Sequence, residues 1–251
     1  MKTRAVLATM ICCFGTAAAR RAPPVAALHY QQSAVHVGPP KLLPRTAKQG
    51  EYYDMLRADG VDITVGVGPA GCGKTLFACI AAMNALNDGV VDHVIFTRPL
   101  VSVDNESLGF FPGTMEKKME AWTMPFFDAA REVLGAGEVA RLRRAGSLEV
   151  IPLAYMRGRT FKNTFVIADE MQNSSPTQMQ MLATRIGEGS RLALLGDPRQ
   201  SDRLSVNGLA DFESRAASRN STRIKCVRFG TADVQRSAIA AEVVAMYDEQ
   251  L

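Results

Sequence analysis

The chain has 251 residues, 47% of them hydrophobic, which is enough apolar material for the core of one domain of up to about 200 residues and too little chain for two catalytic domains. Its formal net charge of +4 is unevenly placed: residues 1–50 hold seven Lys/Arg and no Asp/Glu, leaving 22 basic against 25 acidic residues, a net −3, in the rest. A body that coats nucleic acid by global charge is excluded, and any nucleic-acid surface on the folded part must be a local patch.

In chain order, the first segment reads as an address. Lys2 and Arg4 precede the apolar run Ala5–Phe14 and the small residues Ala17-Ala18-Ala19, the order of a signal peptide and too short for a spanning helix. The acid-free stretch from Arg20 to Lys48 resembles a transit peptide. Import into an organelle, plastid or mitochondrion, is the expectation, with no membrane segment in the mature form. Secretion and an uncleaved extension on a cytoplasmic protein are the alternatives. A compositional break near Pro39-Pro40 divides an N-terminal extension, 1–40, from a folded domain, 41–251. The five cysteines, Cys12, Cys13, Cys72, Cys79 and Cys226, follow no framework spacing and read as reduced.

From residue 63 short apolar runs alternate with helical periodicity. Strands are expected at 63–67, 93–97, 148–151, 164–169, 192–196 and 224–229, and helices at 74–86, 115–133, 177–186, 206–218 and 232–247. The pattern predicts an α/β fold, a parallel sheet with helices on both faces, in which ligands sit at the carboxyl ends of the strands.

Three motifs fall at such ends. Gly68-Pro69-Ala70-Gly71-Cys72-Gly73-Lys74-Thr75 satisfies G-x-x-x-x-G-K-[ST]: the glycines let backbone N–H groups curl around the phosphates of ATP, Lys74 reaches the β/γ oxygens, and Thr75 holds Mg²⁺. The helix opening at Lys74 adds its dipole. Cys72, close to these backbone donors, is expected to have a lowered pKa if it is redox-active, and is otherwise a tolerated small side chain. Phe165–Ala168 then runs into Asp169-Glu170; adjacent strand residues face opposite ways, so Asp169 can join the Mg²⁺ shell while Glu170 positions and polarises the attacking water. Leu194-Leu195-Gly196-Asp197-Pro198-Arg199-Gln200 places Asp197 and Gln200 where a γ-phosphate and its water are sensed. Gly-Asp-Pro is also an ordinary turn, and spacing alone does not choose between them.

The tracts Leu153-Ala154-Tyr155-Met156-Arg157-Gly158-Arg159-Thr160-Phe161, Asp169-Glu170-Met171-Gln172-Asn173, Thr177-Gln178-Met179 with Leu182, Thr184-Arg185-Ile186-Gly187, and Gly196-Asp197 with Gln200 resemble, in order and spacing, the PhoH family of ATPases. Thr97-Arg98-Pro99 and Leu108-Gly109-Phe110-Phe111-Pro112-Gly113 are similar too. The resemblance runs from about Arg45 to Tyr247 and implies one RecA-like P-loop NTPase core, related to superfamily 1 helicases and assembled as a homo-oligomeric ring, with RNA-linked activity proposed for the family. Arg45-Thr46-Ala47-Lys48-Gln49 resembles its entry motif, in which Gln49 reads the adenine edge, since a glutamine amide can pair with both N6 and N7. Asp233-Val234-Gln235-Arg236 resembles its late arginine motif, in which Arg236 stabilises γ-phosphate charge in a neighbour's site. Ser237 departs from it, standing where the family often has histidine.

Arg157 and Arg159, flanking Gly158 beside Phe161, suit phosphate contact and base stacking on RNA. They suit a subunit interface or a bound nucleotide as well, and the net-acidic body tips the balance that way. A translocating helicase needs a second RecA-like domain, which only an oligomer supplies at this length. A nucleotide-sensing module without catalysis is opposed by Lys74 and Glu170 standing together. A small-molecule kinase fits the tandem carboxylates less well than water activation does.

Overall fold

Six short runs of β-branched and apolar residues form strands: β1 (Ile63–Val67), β2 (His93–Thr97), β3 (Leu148–Val150), β4 (Thr164–Ala168), β5 (Arg191–Gly196) and β6 (Ile224–Arg228). Every pairing is parallel, in the order β3-β2-β4-β5-β1-β6. The computed structural model describes residues 43–99, 115–201 and 207–235, with positions 239, 242 and 246; the expected extension 1–40 lies outside the described residues.

Because strand side chains alternate between faces, each buried strand feeds two cores. Val94, Phe96, Phe165, Ile167, Ala193 and Leu195 pack on one face against α1 (Ala47–Arg57), α2 (Lys74–Asn87), α3 (Met115–Leu134) and α4 (Ala136–Ala145). Ile95, Val166, Ala168, Leu192 and Leu194 face the other way, onto Met179 and Leu182 of α5 (Pro176–Ala183) and Leu209 of α6 (Gly208–Arg219). Sheet burial on both faces explains why these strands read as continuous apolar runs. No described helix is long and apolar enough to cross a membrane.

Two helices escaped the periodicity reading. α1 buries only a narrow inward stripe, Gln49, Tyr52 and Leu56, and carries Gly50 in its first turn; what starts it is a capping box in which Thr46 Oγ1 accepts from Gln49 N and the Gln49 side chain accepts from Thr46 N. α4 buries only Val139 and Leu142 and is delimited by Gly135 and Gly146, both at positive φ.

The expected helix 177–186 begins at Pro176 under a Ser175–Gln178 capping box and ends at Ala183, because Ile186 leaves to bridge Phe161. The expected helix 206–218 begins at Gly208, with Asn207 capping it; residue 206 lies outside the described residues. The expected helix 232–247 does not begin at 232. Thr231–Asp233 is a short 3-10 turn in which Asp233 Oδ2 accepts from Gly230 N, and Gln235 N donates to Gly71 O instead of to a helical carbonyl. Positions 239, 242 and 246 are helical.

Candidate active site

The three motif-bearing strand ends meet because β5 lies between β1 and β4. β1 delivers the glycine loop, β4 delivers Asp169-Glu170, and β5 delivers Asp197 from between them. Gly68 N donates to Gly196 O at 3.2 Å and Asp169 N to Thr97 O at 2.9 Å, tying each loop to a neighbouring strand end. They line a cleft of about 250 Å³ that includes Lys74, Thr75, Asp169, Glu170, Asp197 and Gln200.

The loop's course needs glycine at its first position. Gly68 has φ +150°, and a Cβ there would lie 2.7 Å from Phe229 Cβ and 2.8 Å from Phe229 O. Lys74 is buried, with Nζ donating to Gly68 O at 2.7 Å and Pro69 O at 2.8 Å. Thr75 Oγ1 donates to Asp169 Oδ2 at 2.8 Å, joining the phosphate loop directly to the carboxylate strand.

Burial, and after it the charge of Glu170, raises the Asp169 carboxyl above its ordinary value; the Thr75 hydroxyl, the Glu170 N–H and Arg98 pull it back. A hydroxyl and a carboxylate side by side are hard oxygen donors of the kind Mg²⁺ accepts alongside phosphate oxygens and water. No cluster of three His, Cys, Asp or Glu that could hold a metal occurs among the described residues.

Glu170 sits at φ 55°, ψ 34°, a left-handed conformation that costs a non-glycine residue about 1–2 kcal/mol. It turns the chain sharply at the end of β4, so that Gln172 Nε2 donates to Glu170 Oε2 at 2.6 Å. The other end of the same amide, Gln172 Oε1, accepts from Asp197 N at 3.2 Å. Gln172, buried, thus fixes Glu170 and the start of the Asp197 turn relative to one another. Asp197 in turn accepts from Arg199 N at 3.1 Å and from Gln200 Nε2 at 2.9 Å. The segment is a 3-10 turn, Pro198–Gln200, capped by Asp197, and Asp197 and Gln200 both line the cleft.

Gln49 is placed differently from the adenine-reading role. It is 3% exposed; its Nε2 donates to Cys72 O at 3.1 Å, and its Oε1 accepts from Arg45 N at 2.7 Å and Thr46 N at 3.4 Å. The amide is thus committed to the cap of α1 through Oε1 and to the phosphate loop through Nε2. Cys72 also needs correcting: burial raises its thiol, with the Lys74 charge opposing, and Sγ donates to Pro69 O at 3.0 Å. Its pKa is not lowered, because loss of water outweighs the nearby ammonium.

Two residues that the motif reading did not single out matter here. Gln172 was visible only as one letter in a tract, and its bridging role depends on β4 and β5 being neighbours. Asp233, buried, accepts from Thr46 Oγ1 at 2.7 Å, a contact between residues 187 apart in the chain that no local pattern announces. Arg236 lies outside the described residues, as does the tract 108–113. Arg157 and Arg159 are exposed and do not line the cleft; Arg159 lies 5.2 Å over the Phe161 ring, and Tyr155 beside them is 61% exposed.

A glycine loop and a lysine on one strand end, a Thr–Asp pair across to a second, and an intervening strand carrying a third acid define the RecA-like P-loop NTPase class. A family model described as PhoH-like protein matches residues 41–248, and the chain belongs to this PhoH-like protein family. It is 39% identical over 208 residues to the PhoH-like protein of Bacillus subtilis (strain 168), covering 82% of this chain and 64% of that one. It is 37% identical over 210 residues to Protein PhoH of Escherichia coli (strain K12), covering 82% and 58%. The chain thus spans less than two thirds of the length of these relatives. Among solved structures, the Sulfolobus solfataricus SWI2/SNF2 ATPase core in complex with dsDNA aligns with a TM-score of 0.44 at 13% identity, covering 79% of this chain and 49% of that one. Pif1 helicase from Candida albicans gives 0.37 at 17%, covering 75% and 40%.

Proposed function

We propose that this chain is an ATPase that binds Mg·ATP in the cleft and hydrolyses it with Glu170 as the water-positioning carboxylate. The observation that carries the reading is the 2.8 Å Thr75–Asp169 contact in the same cleft as Lys74, with Glu170 held beside it by Gln172. Lys74 exchanges its loop carbonyls for the β/γ oxygens, and Thr75 and Asp169 hold the cation. Mg²⁺ bound with the nucleotide supplies neutralisation of the phosphate charge. Glu170 orients the attacking water and takes up its proton, while Asp197 and Gln200 sense the γ-phosphate through a hydrogen-bonded turn that can follow its loss.

The wider reading is an assembly of identical chains, a ring, in which Arg236 of one chain stabilises transition-state charge in the next and the cycle is coupled to RNA. Exposed Tyr155, Arg157 and Arg159 support the RNA part, offering an aromatic face and two guanidinium groups with no acidic residue between 150 and 168. The acid-free N-terminal stretch supports import into an organelle.

The test is steady-state ATP turnover of the chain lacking residues 1–40, with and without single-stranded RNA, across protein concentration and beside Glu170→Gln. Turnover per chain should rise with concentration and with RNA, and the variant should bind ATP without turning it over. Turnover indifferent to RNA at every concentration sinks the RNA reading and points to a protein partner. Binding without turnover in the unmodified chain sinks the ATPase reading.

A further inference from the structure

The phosphate loop is tied from its outer side by hydrogen bonds that the hydrolytic chemistry does not use. Gln49 Nε2 donates to Cys72 O at 3.1 Å, and Gln235 N donates to Gly71 O at 2.9 Å. The two donors come from opposite ends of the domain and are themselves joined: Thr46 Oγ1 accepts from Gln49 N at 3.2 Å and donates to Asp233 Oδ1 at 2.7 Å. Asp233 Oδ2 is engaged by Gly230 N at 2.9 Å, and Gln49 Oε1 by Arg45 N at 2.7 Å. Gln49 and Asp233 are buried, so water competes poorly for these bonds.

The geometry of the peptide group gives this tether a consequence at the phosphates. All described peptide bonds are trans, and in a trans peptide the C=O and the following N–H point in opposite directions. Holding the carbonyls of Gly71 and Cys72 outward therefore turns the N–H groups of Cys72 and Gly73 to the opposite side, where Gly71 and Gly73 line the cleft. Successive N–H groups turned to one side form the concavity that binds phosphate oxygens. Gly71 and Gly73 stand at φ +89° and +86°, a conformation that free glycine leaves readily, so the loop needs an external hold to keep these donors aimed.

We propose that Thr46, Gln49 and Asp233 are positioning residues of the phosphate loop: together they set affinity for the triphosphate of any nucleoside triphosphate, and Gln49 carries no preference for the base. This rests on the reading of the loop as a triphosphate site and adds to it which residues organise that site and what they do not select.

The experiment is calorimetric titration of the full chain with Mg-tripolyphosphate, Mg·ATP and Mg·GTP, each variant first checked by its melting temperature. Gln49→Ala and Thr46→Val should weaken all three ligands by one common factor of about five or more, the order expected for one lost hydrogen bond, with the ATP-to-GTP ratio unchanged. Thr46→Ser keeps the hydroxyl and should bind as the unmodified chain does. Asp233→Asn, which keeps size and one acceptor oxygen, reads the brace from its other end should Gln49→Ala fail to fold, and should produce the same common shift. A loss confined to ATP, with tripolyphosphate unaffected, makes Gln49 a base reader and overturns the proposal. Three unchanged affinities, or a chain that binds nucleotides but not tripolyphosphate, overturn it as well. Binding of all three without hydrolysis refutes the ATPase reading and leaves the brace standing.

Discussion

Gln172 is the side chain on which the geometry of the hydrolytic carboxylate depends, and a glycine makes room for it. Its amide lies against Gly196, the last residue of β5, where a Cβ would strike Gln172 Oε1 and approach Leu209 Cδ2 to 2.7 Å. Gly196→Ala should therefore push the amide aside, releasing Glu170 Oε2 and the Asp197 N–H together while leaving the phosphate loop and Lys74 in place. The expected result is a fall in kcat of roughly ten-fold or more with KM for ATP changed little, because the loss falls on water positioning and not on ground-state binding. A proportional rise in KM with kcat intact would mean that Gly196 serves the nucleotide pocket instead. The residue types at Lys74, Thr75, Asp169 and Glu170 could be read from the sequence because their chemistry restricts them to a few side chains at fixed spacing. Gln172 could not, since a glutamine does this work only when two strands distant in sequence become neighbours.

Helix α1 shows the same division between pattern and packing. Its polar composition and Gly50 hid it, yet it packs into the core through Tyr52 and Leu56, with Tyr53 against the Phe77 ring. Tyr52 is fully buried, its ring 3.0 Å from where a Gly66 Cβ would stand and edge-on to Phe229 at 5.4 Å. The absence of a side chain at Gly66 is what lets the helix approach β1 and carry Gln49 to the phosphate loop. The Tyr52 hydroxyl finds no hydrogen-bond partner among the described residues, and burial, reinforced by the Asp169 charge, pushes its pKa well above the ordinary phenol value. A buried unpaired hydroxyl costs about 1–3 kcal/mol, so Tyr52→Phe, which keeps the ring and removes only that oxygen, should raise the melting temperature by about 2–4 °C for each kcal/mol recovered. A drop in the melting temperature on this substitution would reveal a water-mediated partner for the hydroxyl. The strands and the helices with apolar stripes were readable in the sequence; α1 and α4 were not, because three and two buried side chains respectively make no period, and the 3-10 turn at Thr231–Asp233 was not, because tertiary bonds to Gly71 and Thr46 override its helical pattern.

Sheet order decides what the molecule can be used for, since it sets β5 between the strand of the phosphate loop and the strand of the acids and so gathers Lys74, Asp169, Glu170 and Asp197 into one cleft. That gathering has a cost to the fold. Asp169 is partly buried beside a second carboxylate, and loss of water, with the Glu170 charge after it, raises its folded pKa; a carboxyl whose pKa is higher folded than unfolded takes up protons on folding, so stability falls as pH rises through that window and at neutral pH the ionised group weighs against the fold. Asp169→Asn removes the charge while its amide oxygen can still accept from Thr75, so the ligand-free chain should melt higher by a few degrees, on the order of 2–4 °C per kcal/mol. The same substitution should cost most of the stabilisation that Mg·ATP gives, which for the unmodified chain at about 100 times Kd amounts to roughly 2.7 kcal/mol. Thermal melts with and without Mg·ATP separate the two effects: the variant starts above the unmodified chain and ends below it. Were the variant to start lower, the Thr75–Asp169 bond would be holding the two strand ends together, and the carboxylate would be a structural clasp before it is a metal ligand.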